Sequence, residues 1–360
     1  MKRVFIIIFI LGIFIILIFY CYYNLSPQQK AEKLIKKGDK FFEKYEVCED
    51  IVSDTSELLL ALKCYTKAIQ LSPYNYEAHT ARGRVYNKLG QYQKAIDNAN
   101  EAIKIIGNNL SRLYRNRGSV YWNLNQYQKA IDDCNKALEL KTIIDHIDKD
   151  DCIEIYYFRG QSYYQLGYYQ KALDDFNKSI DIFKSGTETI VFPEVLEAEV
   201  CLARALCYYK LKQYHNAIDD CIKVINNNGV LDADIKAWAY YHLGLSYYYG
   251  LGESQKGIYN LYRAAVLSLE MGGSDADTIL LSVFDEIKKI DTSSWVIGKL
   301  SQKAVEYFYR KAFSEIEEIY NRYDEKRITE YMEKMKRIDP SSPLIQKLMD
   351  KIYAEPKKKK

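Results

Sequence analysis

Histidine is scarce in this chain, which narrows its chemistry at once. The four histidines (His79, His146, His215, His242) stand far apart. None shows the HExxH or related spacing that sets two metal ligands on one helical face. No CxxC pair offers a zinc site. Beyond Cys21 lie Cys48, Cys64, Cys134, Cys152, Cys201, Cys207 and Cys221, an odd set that completes no disulfide framework. The thiols therefore point to a reducing compartment, or to a periplasm with little disulfide chemistry. No glycine loop is spaced to cradle phosphate, and no GxSxG elbow presents a nucleophile. The acidic stretch Asp145 to Asp151 lacks the glycine and spacing of a calcium loop, so it reads as a solvated connection capping the next helix. An excess of positive charge is missing too. Without Lys2, Arg3 and the four tail lysines, 45 basic residues face 48 acidic ones, which gives no footprint for nucleic acid. No catalytic group, cofactor, metal or small-molecule substrate is indicated.

What is present is repetition. LGQYQKAID (from Leu89), LNQYQKAID (from Leu124), LGYYQKALD (from Leu166) and LKQYHNAID (from Leu211) are versions of one segment. In each copy a small residue (Gly83, Gly118, Gly160, Ala205) precedes an alanine (Ala95, Ala130, Ala172, Ala217) by twelve positions. A tyrosine follows the small residue by three (Tyr86, Tyr121, Tyr163, Tyr208) and by nine (Tyr92, Tyr127, Tyr169, Tyr214). Tyr114, Gly118 and Tyr121 share one helical stripe, as do Ala130, Cys134 and Ala137, with Asn125-Gln126 as the break. Two short helices with facing small residues pack as an antiparallel hairpin. Such a hairpin leaves an outer apolar face that only a neighbour of its own kind can cover.

This arrangement resembles the tetratricopeptide repeat. The likeness is specific over about 60–265, with Pro73 and Gly107 as helix terminators. A unit from Ala237 to Ala265 resembles the Sel1-like repeat through Gly244, Tyr247, Gly250, Gly252, Ala264 and Ala265, and its spacing runs one residue long in the turn. The expected fold is all-α: a solenoid of tetratricopeptide and Sel1-like hairpins preceded by one N-terminal transmembrane helix. The latter expectation rests on residues 4–23, which carry no charge and would span about 30 Å as a helix. About fifteen of these residues are Ile, Leu, Phe or Val, each favouring insertion by about 0.3–0.6 kcal/mol. Lys2 and Arg3 favour a cytoplasmic N-terminus with the repeats outside the cytoplasmic membrane; Lys30, Lys33, Lys36 and Lys37 argue for repeats facing the cytosol.

The division expected is an anchor at 1–25, a repeat array at 26–272, further helices with a degenerate repeat and a capping helix at 273–356, and a basic tail at 357–360. Ser26-Pro27 reads as the cap and first residue of the opening helix. Connections are expected from Thr142 and from Lys184, with Pro193 opening a helix. The resemblance implies a concave face lined by first helices. On it would lie Arg84, Asn87 and Lys88, then Arg112, Arg115, Asn116, Ser119, Trp122 and Asn123. Tyr157, Gln161 and Tyr164 would follow, and later Trp238, Tyr241 and Tyr248. Guanidinium forks suit carboxylates and aromatic rings suit apolar groups, so an acidic or amphipathic protein segment is the expected guest. The Lys-Asn-Asn-Lys-Arg clamp of chaperone-binding relatives maps onto Thr80, Arg84, Asn116, Glu154 and Phe158, of which only Asn116 agrees. The function expected is that of a membrane-anchored, non-catalytic interaction scaffold. The alternatives are a cytosol-facing adaptor or import-type receptor, a membrane-tethered enzyme with a site after Gly273, and a self-assembling structural protein.

Overall fold

The computed structural model describes residues 25–48, 55–107, 110–143, 149–185, 193–227, 231, 233–271, 274–290, 295–318 and 325–354. The chain divides into two compact units, Met1–Gly167 and Tyr168–Lys360. Unit 1 holds α1 (Pro27–Cys48), α2 (Ser56–Leu71), α3 (Tyr76–Lys88), α4 (Tyr92–Ile106), α5 (Ser111–Asn123), α6 (Tyr127–Ile143) and α7 (Lys149–Gln165). The odd helices are the first of each pair. Each helix packs on the next in sequence, and α1, α3, α5 and α7 also touch in succession.

The start of α1 follows from Ser26. Its Oγ accepts the Gln29 N–H at 3.2 Å, while its own N–H donates to Gln29 Oε1 at 2.9 Å, a reciprocal cap. Asn75 caps α3 by accepting the Ala78 N–H at 3.0 Å. Within the α3–α4 and α5–α6 pairs one residue adopts a left-handed conformation: Gly90 (φ 68°) and Asn125 (φ 57°). That kink lets the next N–H reach the carbonyl five residues back, Gln91 to Tyr86 at 2.8 Å and Gln126 to Tyr121 at 2.9 Å. The twelve-residue spacing is a helix crossing. A Cβ on Gly83 would stand 3.4 Å from the Ala95 carbonyl oxygen, and one on Gly118 would stand 3.5 Å from that of Ala130. Cys134 is fully buried at the position where Tyr65 sits in the first pair, so it fills core. Ala130 is fully buried at its crossing. Ala130→Leu is expected to lower stability by about 1–3 kcal/mol through overpacking; an unchanged urea midpoint would contradict this register.

Unit 2 holds α8 (Tyr169–Lys184), α9 (Pro193–Lys210), α10 (Tyr214–Ile225), α11 (Ala233–Leu245), α12 (Ser254–Met271), α13 (Ser274–Ile290), α14 (Trp295–Glu318), α15 (Glu325–Ile338) and α16 (Pro343–Ala354). Pro193 opens α9 as expected. Here too successive helices pack together, and α11 touches both α9 and α13. The helix continues from α11 as a π-helical stretch, Ser246–Gly250. Gly244 and Gly257 cross at this pair, each Cβ position lying 3.0–3.1 Å from the other's carbonyl oxygen. Their separation is thirteen residues rather than twelve, and the π stretch takes up the extra one. A continuous core runs through Ala237, Leu261, Phe284, Phe308, Met335 and Leu348.

Two expectations change. The connection from Thr142 is shorter than its composition suggests: α6 runs to Ile143 and α7 starts at Lys149, which places Asp151 in a first turn. The expected single-pass membrane protein is corrected as well. No helix among the described residues is long and apolar enough to cross a membrane, because their apolar positions form stripes interrupted by charge. Residues 4–23, on which that expectation rested, lie outside the described residues, as do Cys21 and the tail 357–360.

Candidate functional site

The face of unit 1 formed by first helices carries the residues of interest. On α3, Arg84 and Lys88 are exposed one turn apart, and the Arg84 guanidinium stands 4.5 Å over the Phe42 ring of α1. Arg112 of α5 is exposed and reaches back to α3. Its Nη2 donates to Tyr76 Oη at 3.2 Å and lies 3.9 Å from Glu77 Oε1. Arg115 behaves differently. Its side chain is only 17% exposed, and Nη1 lies 2.6 Å from Glu154 Oε2 and 2.9 Å from Asp151 Oδ1, both on α7. The carboxylates it holds are the chain's own.

Trp122 sits two turns beyond Arg115 on the same face, half-buried, its ring 6.2 Å from Phe158 of α7. Tyr157 stands 5.6 Å from Phe158, and its Oη accepts from Gln161 Nε2 at 3.1 Å. Tyr164 is half-buried two turns further along α7. Asn116 is half-buried, its carbonyl accepting Ser119 Oγ at 2.8 Å, while Asn123 Nδ2 donates to Asn87 Oδ1 at 2.9 Å across α5 and α3. The structure thus gathers Arg115, Trp122 and Tyr157 around Phe158 and Glu154. Arg112 joins α3 instead, and Arg84 leans on α1. Two donors on this face, Trp122 Nε1 and Arg115 Nε, are buried without a hydrogen-bond partner.

Sequence reasoning missed a recurrent arginine. Arg82, Arg117 and Arg204 each stand just before the small crossing residue, with an acid or amide sixteen positions later. Arg82 Nε donates to Asn98 Oδ1 at 2.8 Å. Arg117 grips both Asp133 oxygens at 2.7 and 2.8 Å and reaches Asn100 at 2.7 Å on the preceding second helix. Arg204 does the same with Asp220, at 2.7 Å twice, and Asn177 at 2.9 Å. Arg159 reaches Asn135 at 2.7 Å. The fork joins the two helices of one pair to the second helix of the pair before, and its planar shape suits two carboxylate oxygens at once. Burial pushes the Asp133 carboxyl above its usual range although Arg117 pulls it down. The signal was available as an arginine before each glycine or alanine of the crossing.

Among the described residues, no three His, Cys, Asp or Glu side chains are placed to hold a metal ion. His79 Nε2 is 3.0 Å from the Pro73 carbonyl, a link from α3 back to the connection before it.

The tetratricopeptide repeat family matches residues 64–97, 109–185 and 198–229. A comparison with curated proteins finds no match. Among solved structures, a tetratricopeptide repeat protein from Parabacteroides merdae is 18% identical with a TM-score of 0.51, over 86% of this chain and 99% of that one. PilW, a type IV pilus biogenesis factor, is 15% identical with a TM-score of 0.52, over 69% of this chain and 98% of its own. At these identities the likeness is one of fold. Among the described residues there are sixteen α-helices and no strand, and this chain carries tetratricopeptide repeats in an all-helical fold of the solenoid kind.

Proposed function

We propose that this chain is a non-catalytic protein-interaction scaffold whose first-helix face in unit 1 holds an extended acidic or amphipathic segment of a partner protein. The observation that carries this reading is the row of exposed cations, Arg84, Lys88 and Arg112, on the same first-helix face as the half-buried rings of Trp122, Tyr157 and Tyr164. The exposed guanidinium and ammonium groups of Arg84, Lys88 and Arg112 supply charge for an acidic guest, and Trp122, Tyr157 and Tyr164 offer ring surface for apolar side chains.

The same reading takes 26–272 as the repeat array, with the pair α11–α12 as its Sel1-like member. It takes 273–356 as the helices that close the array. Peptides selected from a random display library on the full chain are expected to be rich in Asp and Glu with interspersed aliphatic or aromatic residues. Reversing charge with Arg84→Glu and Arg112→Glu together is expected to weaken such a peptide at least about tenfold, by loss of electrostatic complementarity. A library yielding no acidic consensus, or peptides indifferent to the double reversal, would sink the proposal.

A further inference from the structure

Cations of the chain itself stand over many of its tyrosine rings. Arg117 lies over Tyr121 at 5.8 Å, Arg204 over Tyr208 at 5.8 Å and Arg263 over Tyr240 at 5.4 Å. One aromatic group in unit 2 differs. On α11, the Trp238 and Tyr241 rings meet edge-on at 5.6 Å, His242 stacks on Trp238 at 5.8 Å, and Tyr241 meets His242 at 5.0 Å. Tyr209 of α9 packs against the same core as Trp238 and Tyr241, and Tyr249 of the π stretch follows Tyr241 about two turns along; all are half-buried apart from the exposed Tyr249. Among the described residues, no lysine or arginine stands over the rings of Trp238, Tyr241, Tyr209 or Tyr249.

A carboxylate is built into the same place. Tyr249 Oη donates to Glu286 Oε2 of α13 at 3.0 Å. Burial comes first among the causes that push the hydroxyls of Tyr209 and Tyr241 upward, and the negative charge of Glu286 adds to it, so the carboxylate bonded to Tyr249 is also felt at these two phenols. Ring faces with a carboxylate at their edge attract a cation, because the ring quadrupole and the negative charge act in the same direction. His242 does not oppose this. Burial, helped by Lys210, brings its pKa down to about 4, so it is neutral near pH 7.

We propose that the surface of Trp238, Tyr241, Tyr209 and Glu286 receives a lysine or arginine side chain of a basic partner segment. The chain's own competitor is Lys289, whose Nζ lies 2.7 Å from Glu286 Oε1 on the same helix. The Lys289 side chain is 63% exposed and that of Glu286 17%, so the ammonium can swing out into water and leave the carboxylate to a guest cation. The neighbouring Asp285 pairs with Arg337 of α15, and its charge is also felt at the Tyr241 hydroxyl, so it adds to the negative potential there.

The test uses the full chain with Trp122→Phe and Trp295→Phe, so that Trp238 alone reports by fluorescence. The probes are acetylated, amidated hexalysine and hexaglutamate at low salt. Hexalysine is expected to quench Trp238 saturably and hexaglutamate is not. Glu286→Gln is expected to weaken hexalysine about fivefold or more, since it removes the charge and leaves the rings. Lys289→Ala, at an exposed position that should not disturb folding, is expected to tighten it about threefold by removing the internal competitor. The inference is overturned by hexaglutamate binding as well as hexalysine, by Glu286→Gln having no effect, or by Lys289→Ala failing to tighten binding. Because unit 1 supplies none of these residues, either outcome leaves the reading of the α5 face standing on its own test.

Discussion

Arg117→Ala is expected to destabilise the protein by about 3 kcal/mol, the lower end of the range for removing one partner of a buried ion pair. Asp133 is only 8% exposed and Arg117 19%, so the carboxylate left behind is largely cut off from water. The same change releases Asn100 and takes away the cation over Tyr114 and Tyr121. Two controls separate charge from packing. Arg117→Met with Asp133→Leu is expected to recover most of the loss, because an apolar pair carries no unpaired charge. The deficit of Arg117→Ala should also shrink as the pH falls. The folded-state pKa of Asp133 is already raised by burial, and losing the guanidinium raises it further. Folded protein then takes up a proton before unfolded chain does, so the penalty is full at neutral pH. It fades as pH drops through the raised value towards the ordinary carboxylate range. Urea midpoints at pH 7 and pH 5 measure this; a loss independent of pH would show that volume, not charge, is what Arg117 supplies.

The sequence made the hairpins legible for a local reason. A helix crossing as tight as Gly118 on Ala130 tolerates only small residues, so the constraint is printed at fixed spacing. The Ser26 cap and the Pro193 start are local too, each set by one residue's backbone chemistry. Side-chain pairing across helices is a different matter. Arg115 and Arg117 are two positions apart on one short helix, yet Arg115 meets α7 and Arg117 meets α6. An array of arginines on α5 reads alike until the partners are placed. On sequence alone Arg115 stands beside Arg112 as a cation on the first-helix face and Asp151 falls in a stretch that looks like a connection; the turn of helix from Lys149 brings that carboxylate within 2.9 Å of Arg115. The aromatic surface on α11 was visible as Trp238 and Tyr241. Its sign was not, since Glu286 lies some forty-five residues on, in a region where the crossing pattern has faded. The helices there show why: α13, α14 and α15 bury Phe284, Phe308 and Met335, large side chains that set no fixed small-residue spacing.

Phe308→Ala is expected to cost about 3–5 kcal/mol, the range for truncating a fully buried aromatic ring. Phe308 is 0% exposed at the middle of α14 and meets the Tyr307 ring at 5.1 Å and the Tyr331 ring of α15 at 6.3 Å. It also supports a charged cluster. Lys334 stands 5.7 Å from its ring centre and gives an ion pair at 2.9 Å to Asp277 of α13, which also takes Lys311 at 3.0 Å and Tyr307 Oη at 3.1 Å. A ring lost beneath Lys334 frees that ammonium to move and loosens the ties from α13 to α14 and α15. Phe308→Leu keeps most of the volume and is expected to cost less than about 1.5 kcal/mol. The core of unit 2 is continuous from Ala237 to Leu348, so the loss should not stay local. Urea unfolding followed by Trp238 fluorescence in α11 and by far-ultraviolet circular dichroism should shift together in Phe308→Ala. Were Trp238 to keep its wild-type midpoint while part of the helical signal melted early, α14 to α16 would be a separate cooperative body. The continuous core would then not bind unit 2 into one folding unit.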